Sequence, residues 1–192
     1  MKRIAVFCGS SSGSKENYIK EAIMLGKELA KRNITLVYGG ASVGIMGAVA
    51  DSVLEEGGQA IGVMPTFLKE KEISHQNLSE LIIVNSMHER KAKLSEMADG
   101  FIVLPGGPGT LEEFFEIYTA LKLGLHQKPV GLLNIDHYYD PLISLFDHMC
   151  KEGFLKMDDD SILIIEENPN LLLDQFEKMI TKTVKSETGS EE

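Results

Sequence analysis

Residues 101–121 read FIVLPGGPGTLEEFFEIYTAL. Phe101 to Leu104 form an unbroken apolar run, the pattern of a short strand buried on both faces. Pro105, Gly106, Gly107, Pro108 and Gly109 break the strand into a turn. Beyond it, Leu111, Phe114, Phe115, Tyr118 and Leu121 recur close to every 3.6 residues, which predicts an amphipathic helix over 110–123. Strand, glycine turn and helix in that order are half of a β-α-β unit.

The same unit recurs outward in both directions. Apolar runs without alternation lie at 4–8, 34–38, 60–64, 81–84, 130–133 and 162–165. Helical periodicities lie at 17–31, 44–56, 87–98, 141–150 and 169–180, the last two with proline near the start, where a missing N–H costs nothing. This order predicts an α/β fold: a Rossmann-like, doubly wound parallel sheet of about six or seven strands with helices on both faces. Residues 66–80 are polar and aperiodic and read as a loop with room for one short helix. Residues 1–180 read as one domain. The tail, 181–192, has Val184 as its one apolar residue and reads as frayed or disordered.

The 192 residues, 43% hydrophobic and 25% charged, suffice for one domain that folds without disulfides or structural metal. A net charge of −10 argues against non-specific binding to nucleic acid or to an anionic membrane. The two cysteines, Cys8 and Cys150, make no disulfide framework, and no CxxC, HExxH or EF-hand spacing supports a metal. The first apolar run is too short for a signal peptide or a membrane span, so the expected location is cytoplasmic.

In an open α/β sheet, ligands sit beyond the carboxyl ends of the strands. Three strands here end in small-residue loops: Cys8 to Gly13, Gly39 to Gly44, and Pro105 to Thr110. Glycine lets a backbone approach a ligand closely, and the following helix N-terminus favours an anion. The three together point to a phosphate-bearing ligand, tight strand-to-helix turning being the plainer reading of each. The glycine spacing fits neither a GxGxxG fingerprint nor a Walker A loop, and no GxSxG elbow is present.

Two clusters border these loops. Thr110-Leu111-Glu112-Glu113 reads as a capping box, with Thr110 as N-cap and Glu113 at N3, or as a carboxylate facing a ligand at the strand-end crevice. Met87-His88-Glu89-Arg90-Lys91 opens a helix that carries Arg90 and Lys91 on or beside its inward face, either as a solvated pair or as an anion clamp. Cys8, at a strand end, reads as a small buried hydrophobe.

Pro105 to Glu113 matches PGGxGTxxE. With Met87 to Lys91 upstream, Cys8-Gly9-Ser10-Ser11, and Tyr38 to Gly47, the chain resembles the LOG (Lonely Guy) family over roughly residues 1–180. The resemblance implies a homodimeric enzyme without a cofactor. It implies hydrolysis of the N-glycosidic bond of nucleoside 5′-monophosphates, cytokinin riboside 5′-monophosphates or AMP, to free base and ribose 5-phosphate. Such proteins have carried the label lysine decarboxylase, for which no pyridoxal site is recognisable here. Carried over by motif, Arg90 and Glu113 are the expected catalytic pair. Gly106, Gly107, Gly109 and Thr110 are the expected phosphate turn, and Lys91, Glu112 and Thr119 line the nucleotide site. Met87, Ser10, Gly39 and Gly40 are further expected contacts, and Glu72 is the expected ligand-contacting glutamate. Residues 72–76, Glu-Ile-Ser-His-Gln, depart from the commoner Glu-[Ile/Leu]-Thr-Gly-Glu pattern. A non-catalytic nucleotide-binding protein, a general nucleotide nucleosidase without cytokinin preference, and a single-stranded DNA-binding module are the alternatives. The charge and the absence of tryptophan disfavour the last.

Overall fold

The computed structural model describes residues 1–69, 74–156 and 163–188. Seven strands form one sheet: β1 (Arg3–Phe7), β2 (Thr35–Tyr38), β3 (Ala60–Pro65), β4 (Glu80–Val84), β5 (Gly100–Val103), β6 (Val130–Leu133) and β7 (Leu163–Glu166). All pairings are parallel, in the order β4-β3-β2-β1-β5-β6-β7. Strands β3, β5 and β6 are buried along their whole length, β1 and β2 in all but their first residue, and the edge strands β4 and β7 only partly. This is why the central strands read as continuous apolar runs.

The helices are α1 (Glu16–Lys31), α2 (Gly44–Glu55), the short α3 (Thr66–Lys69), α4 (Met87–Met97), α5 (Pro108–Lys122), α6 (Asp140–Lys151) and α7 (Pro169–Thr188), with a 3₁₀ turn at Ile135–His137. Alternate strand residues divide between two cores. Ile4, Val6, Leu36 and Tyr38 pack with Ala22, Leu25, Val49 and Phe176 from α1, α2 and α7. Ala5, Phe7, Val37 and Val103 pack with Leu94, Phe114, Tyr118 and Phe146 from α4, α5 and α6. Cutting one of these, such as Phe114, to alanine costs about 3–5 kcal/mol.

Two boundaries differ from the sequence reading by more than one residue. Helix α5 begins at Pro108 rather than Thr110, because proline fits the first helical turn, and Gly107 is its N-cap. Helix α7 continues to Thr188, past the expected end at Ile180, since no glycine or proline interrupts it before Gly189. Among the described residues no helix is long and apolar enough to cross a membrane.

The strand order places the site. From β1 the chain steps outward through β2, β3 and β4, then returns to pair β5 beside β1 and steps the other way. The turns after β1 and β5 therefore diverge, and a crevice opens between them at the carboxyl edge.

Candidate active site

The three glycine loops are lashed together at that edge. The Gly9 amide donates to the Pro105 carbonyl at 3.0 Å, and the Met46 amide to the Gly9 carbonyl at 3.3 Å. Gly44, at φ +59°, lets the start of α2 press against the Ser10 backbone, where a Cβ has no room. Between the loops lies a cavity of about 370 Å³, within the size range of small-molecule sites. Cys8, Gly9 and Ser10 border it from the β1 loop, and Gly39, Ala41 and Val43 from the β2 loop. Gly107, Pro108, Gly109 and Thr110 border it from the start of α5.

Arg90 and Glu113 meet in its wall. Helix α4 starts with Ser86 as N-cap, whose hydroxyl accepts from the Glu89 amide at 3.1 Å, while the Glu89 carboxylate accepts from the Asn85 amide at 2.8 Å. The capping pair therefore sits at Ser86 and Glu89, not at Thr110 and Glu113, and Glu113 is released for other use. One helical turn in, Arg90 is 9% exposed. Its Nε donates to the Val63 carbonyl at 3.2 Å and its Nη1 to Glu113 Oε1 at 2.7 Å. Its Nη2 lies where a Cβ on residue 39 would stand, so Gly39 is the space the guanidinium needs. Glu113 is 8% exposed and lies on the buried side of α5 with Thr110, Phe114 and Ile117. Burial pushes its carboxyl above the ordinary glutamate value, and the Arg90 charge and hydrogen bond oppose the shift. The same burial, with the nearby Glu113 charge, pushes the Cys8 thiol far up, which keeps it un-ionised.

The other expected residues divide. Met87, Ser10, Gly39, Gly107, Gly109, Thr110 and Glu112 all border the cavity. Gly106 does not: a Cβ there would strike Thr110 Oγ1 and the Gly9 amide nitrogen, so this glycine serves loop packing. Gly40 is buried at φ +81° against Leu81, Gly62 and Met64, and it shapes the turn rather than touching the space. Lys91 points to the other side of α4, where it bonds Glu112 and Glu116 at 2.7 Å each. There it lines a second cavity of about 80 Å³ behind Glu113. Thr119 is exposed and borders neither cavity. Glu72 lies outside the described residues.

The sequence reading missed the apolar wall: Val6, Met46, Met64 and Leu68. Met64, near the end of β3, carried the available signal, because carboxyl-end strand residues face the crevice. Among the described residues no group of three or more His, Cys, Asp or Glu side chains could hold a metal ion. The site thus combines a buried carboxylate held by a guanidinium, a glycine turn at a helix start, and an apolar flank.

A family model described as "Possible lysine decarboxylase" matches residues 46–176. The probable cytokinin riboside 5′-monophosphate phosphoribohydrolase LOGL2 of Oryza sativa subsp. japonica is 48% identical over 92% of this chain and 72% of its own. The cytokinin riboside 5′-monophosphate phosphoribohydrolase LOG7 of Arabidopsis thaliana is 48% identical over 92% of this chain and 82% of its own. Among solved structures, the molybdenum cofactor binding protein of Rippkaea orientalis superposes with a TM-score of 0.70 at 24% identity, over 93% of this chain and 97% of that one, a likeness of fold alone. Identity near one half across nine-tenths of the chain is a likeness of sequence as well as of fold, and by it the chain belongs to the LOG family.

Proposed function

We infer that this chain is a phosphoribohydrolase: it hydrolyses the N-glycosidic bond of nucleoside 5′-monophosphates, cytokinin riboside 5′-monophosphates and AMP among them. The products are free base and ribose 5-phosphate. The observation that carries the reading is the buried Arg90–Glu113 pair, 2.7 Å apart, in the wall of a cavity whose rim is the open turn at Gly107 and Gly109. A Cβ at either of these glycines would meet nothing within 4 Å. Protein packing therefore does not require glycine there, and a bound anion does.

The 5′-phosphate sits at the start of α5, where the helix dipole is positive. Pro108 has no N–H, and the Thr110 and Leu111 amides both turn to the Gly107 carbonyl, which leaves the amides of Gly107 and Gly109 for the ligand. The base lies along Met46, Met64, Leu68 and Met87, an apolar and deformable flank. The anomeric carbon then stands beside Glu113. As the bond to the base breaks, positive charge grows on the ribose, and the carboxylate stabilises it or draws the proton from the attacking water. Water supplies the new hydroxyl at the anomeric carbon, and the base leaves with its electron pair and a proton. Arg90 opposes the burial that disfavours ionised Glu113, and offers positive charge to the departing base.

The protein acts as a cytoplasmic homodimer; Leu123, Leu125 and Phe154, just beyond α5 and α6, are exposed apolar side chains suited to a partner surface. Sedimentation equilibrium tests that state. The enzyme reading is tested by incubation with a panel of nucleoside monophosphates and chromatography of the products. Free base with ribose 5-phosphate is the expected result; intact nucleotide recovered from a bound complex would make the protein a binder without turnover.

A further inference from the structure

The phosphate turn contains a Gly106–Gly107 peptide with no side chain on either flank. Such a peptide plane rotates easily, and a rotated plane aims a carbonyl where an amide is needed. Something outside the turn holds it. The Tyr138 hydroxyl donates to the Gly106 carbonyl at 2.6 Å. The Gly106–Gly107 peptide is trans, so the carbonyl of Gly106 and the N–H of Gly107 point in opposite directions. Tyr138 does not border the cavity, whereas Gly107 does. A carbonyl fixed toward Tyr138 leaves the Gly107 amide aimed away from it, toward the ligand space.

Tyr138 is itself braced. Its ring stands edge-on to Tyr18 of α1 at 5.7 Å and to Tyr139 at 5.0 Å. It leaves a turn in which Asp136 and His137 both take positive φ, 51° and 61°, a conformation costly for residues with side chains. Asn17 holds that turn through a 2.7 Å bond to Asp136 Oδ1, and the Asn134 side chain accepts from the Tyr139 amide at 2.6 Å. A strained turn held from two elements and ending on one hydroxyl has the construction of a positioning device. Tyr139 makes a similar bond, from its hydroxyl to the Leu104 carbonyl at 2.6 Å, but inside the core and one peptide before the turn.

Resting on the reading that the nucleotide phosphate occupies this turn, we propose that Tyr138 is a positioning residue for phosphate recognition, acting by locking the orientation of the Gly106–Gly107 peptide. Its effect is confined to ligands that carry the phosphate. The test compares Tyr138→Phe and Tyr139→Phe with the unaltered enzyme in binding AMP, ribose 5-phosphate and adenosine, and in KM and kcat for AMP. Loss of one amide bond to a charged group predicts that Tyr138→Phe weakens AMP and ribose 5-phosphate about tenfold. Adenosine affinity and kcat at saturation stay within about twofold to threefold, because neither depends on that bond. Tyr139→Phe lowers Tm and leaves the AMP-to-adenosine preference unchanged. In the unaltered protein the Gly107 amide resonance shifts on titration with ribose 5-phosphate, and in Tyr138→Phe it shifts less.

Equal weakening of AMP and adenosine in Tyr138→Phe, or an unchanged Gly107 response, would overturn the proposal while leaving the site reading intact. An unaltered enzyme that binds adenosine as tightly as AMP would overturn the phosphate placement itself.

Discussion

Replacing Gly39 by alanine is predicted to perturb catalysis through one atom, Arg90 Nη2. A Cβ at residue 39 would stand about 1 Å inside ordinary van der Waals contact with Arg90 Nη2, and nearer than usual to Met46 Sδ at 3.1 Å. The Arg90 terminus must yield, because the residue 39 backbone is fixed in the buried end of the β2 loop. Moving it disturbs both the 3.2 Å bond to the Val63 carbonyl and the 2.7 Å bond to Glu113. A misplacement of about 1 Å in a catalytic group costs roughly 10²-fold in rate, so kcat for AMP is predicted to fall by about that factor. Stability changes less. The obstructing atom ends a flexible side chain beside an open cavity, so the cost is about 1 kcal/mol, the low end for overpacking. The turn proposed to hold the phosphate is untouched, and AMP affinity is predicted to stay within about threefold. Steady-state kinetics, a thermal melt and calorimetric titration read the three quantities. Unaltered kcat in a folded Gly39→Ala protein would refute the argument that the Arg90 position governs the reaction.

Gly107→Ala is the complementary change: its Cβ meets no protein atom within 4 Å, so Tm should hold while KM for AMP rises about tenfold from contact with the ligand. A lower Tm with an unchanged KM would place the phosphate elsewhere. Glu113→Gln keeps an oxygen for Arg90 but removes the charge, and kcat should fall by about 10²–10³-fold with AMP binding largely retained. Turnover near that of the unaltered enzyme would reject the assignment. Because burial raises the Glu113 pKa, the ionised, active form should be lost as pH falls through a midpoint above the ordinary glutamate value of about 4.3. The same shift means that the folded chain holds this proton to higher pH than the unfolded chain. Its contribution to stability therefore declines as pH rises across that window, and Glu113→Gln should remove the decline. An acid limb of kcat/KM at or below the ordinary value would contradict the buried geometry.

The fold was readable because parallel strands covered on both faces must be apolar without alternation, and runs such as 101–104 and 130–133 carry nothing else. The edge strand β4 was readable only as 81–84, since Glu80 adds a charged residue that a half-exposed strand tolerates. Local chemistry misled at α5. Thr110 and Glu113 have capping-box spacing, but Pro108 and Gly107 start the helix earlier, and the true capping pair is Ser86 and Glu89. Arg90 and Glu113 were marked by motif, yet their contact joins residues 23 apart in sequence, which no local pattern encodes. Gly39 and Gly106 looked alike as ligand glycines. Their difference is tertiary, one admitting a guanidinium and the other a threonine hydroxyl. Lys91 follows Arg90 directly, and one residue of helix is about 100° of rotation, enough to carry it to the acidic pair Glu112 and Glu116.

The departure at residues 74–76 bears on support rather than contact. Ser74 bridges Ala41, and the His75 amide donates to the Gly40 carbonyl at 2.9 Å. His75 Nδ1 accepts from the Asn77 amide at 3.2 Å, so Nε2 carries the proton in the neutral ring and donates to Asp51 of α2 at 2.8 Å. The Gln76 side chain donates to the Ser74 carbonyl at 3.0 Å. None of the three borders the main cavity, but Ala41, to which they are tied, does. Where the commoner pattern has glycine and glutamate, this chain has an imidazole anchored to a neighbouring helix and an uncharged amide closed on its own turn. Both hold the Gly40–Ala41 corner, and with it the Gly39 position that Arg90 requires. With the base placed as proposed, its choice among the described residues falls to Met46, Met64, Leu68 and Met87, whose flexible apolar side chains are expected to admit substituents of different shape on one purine ring.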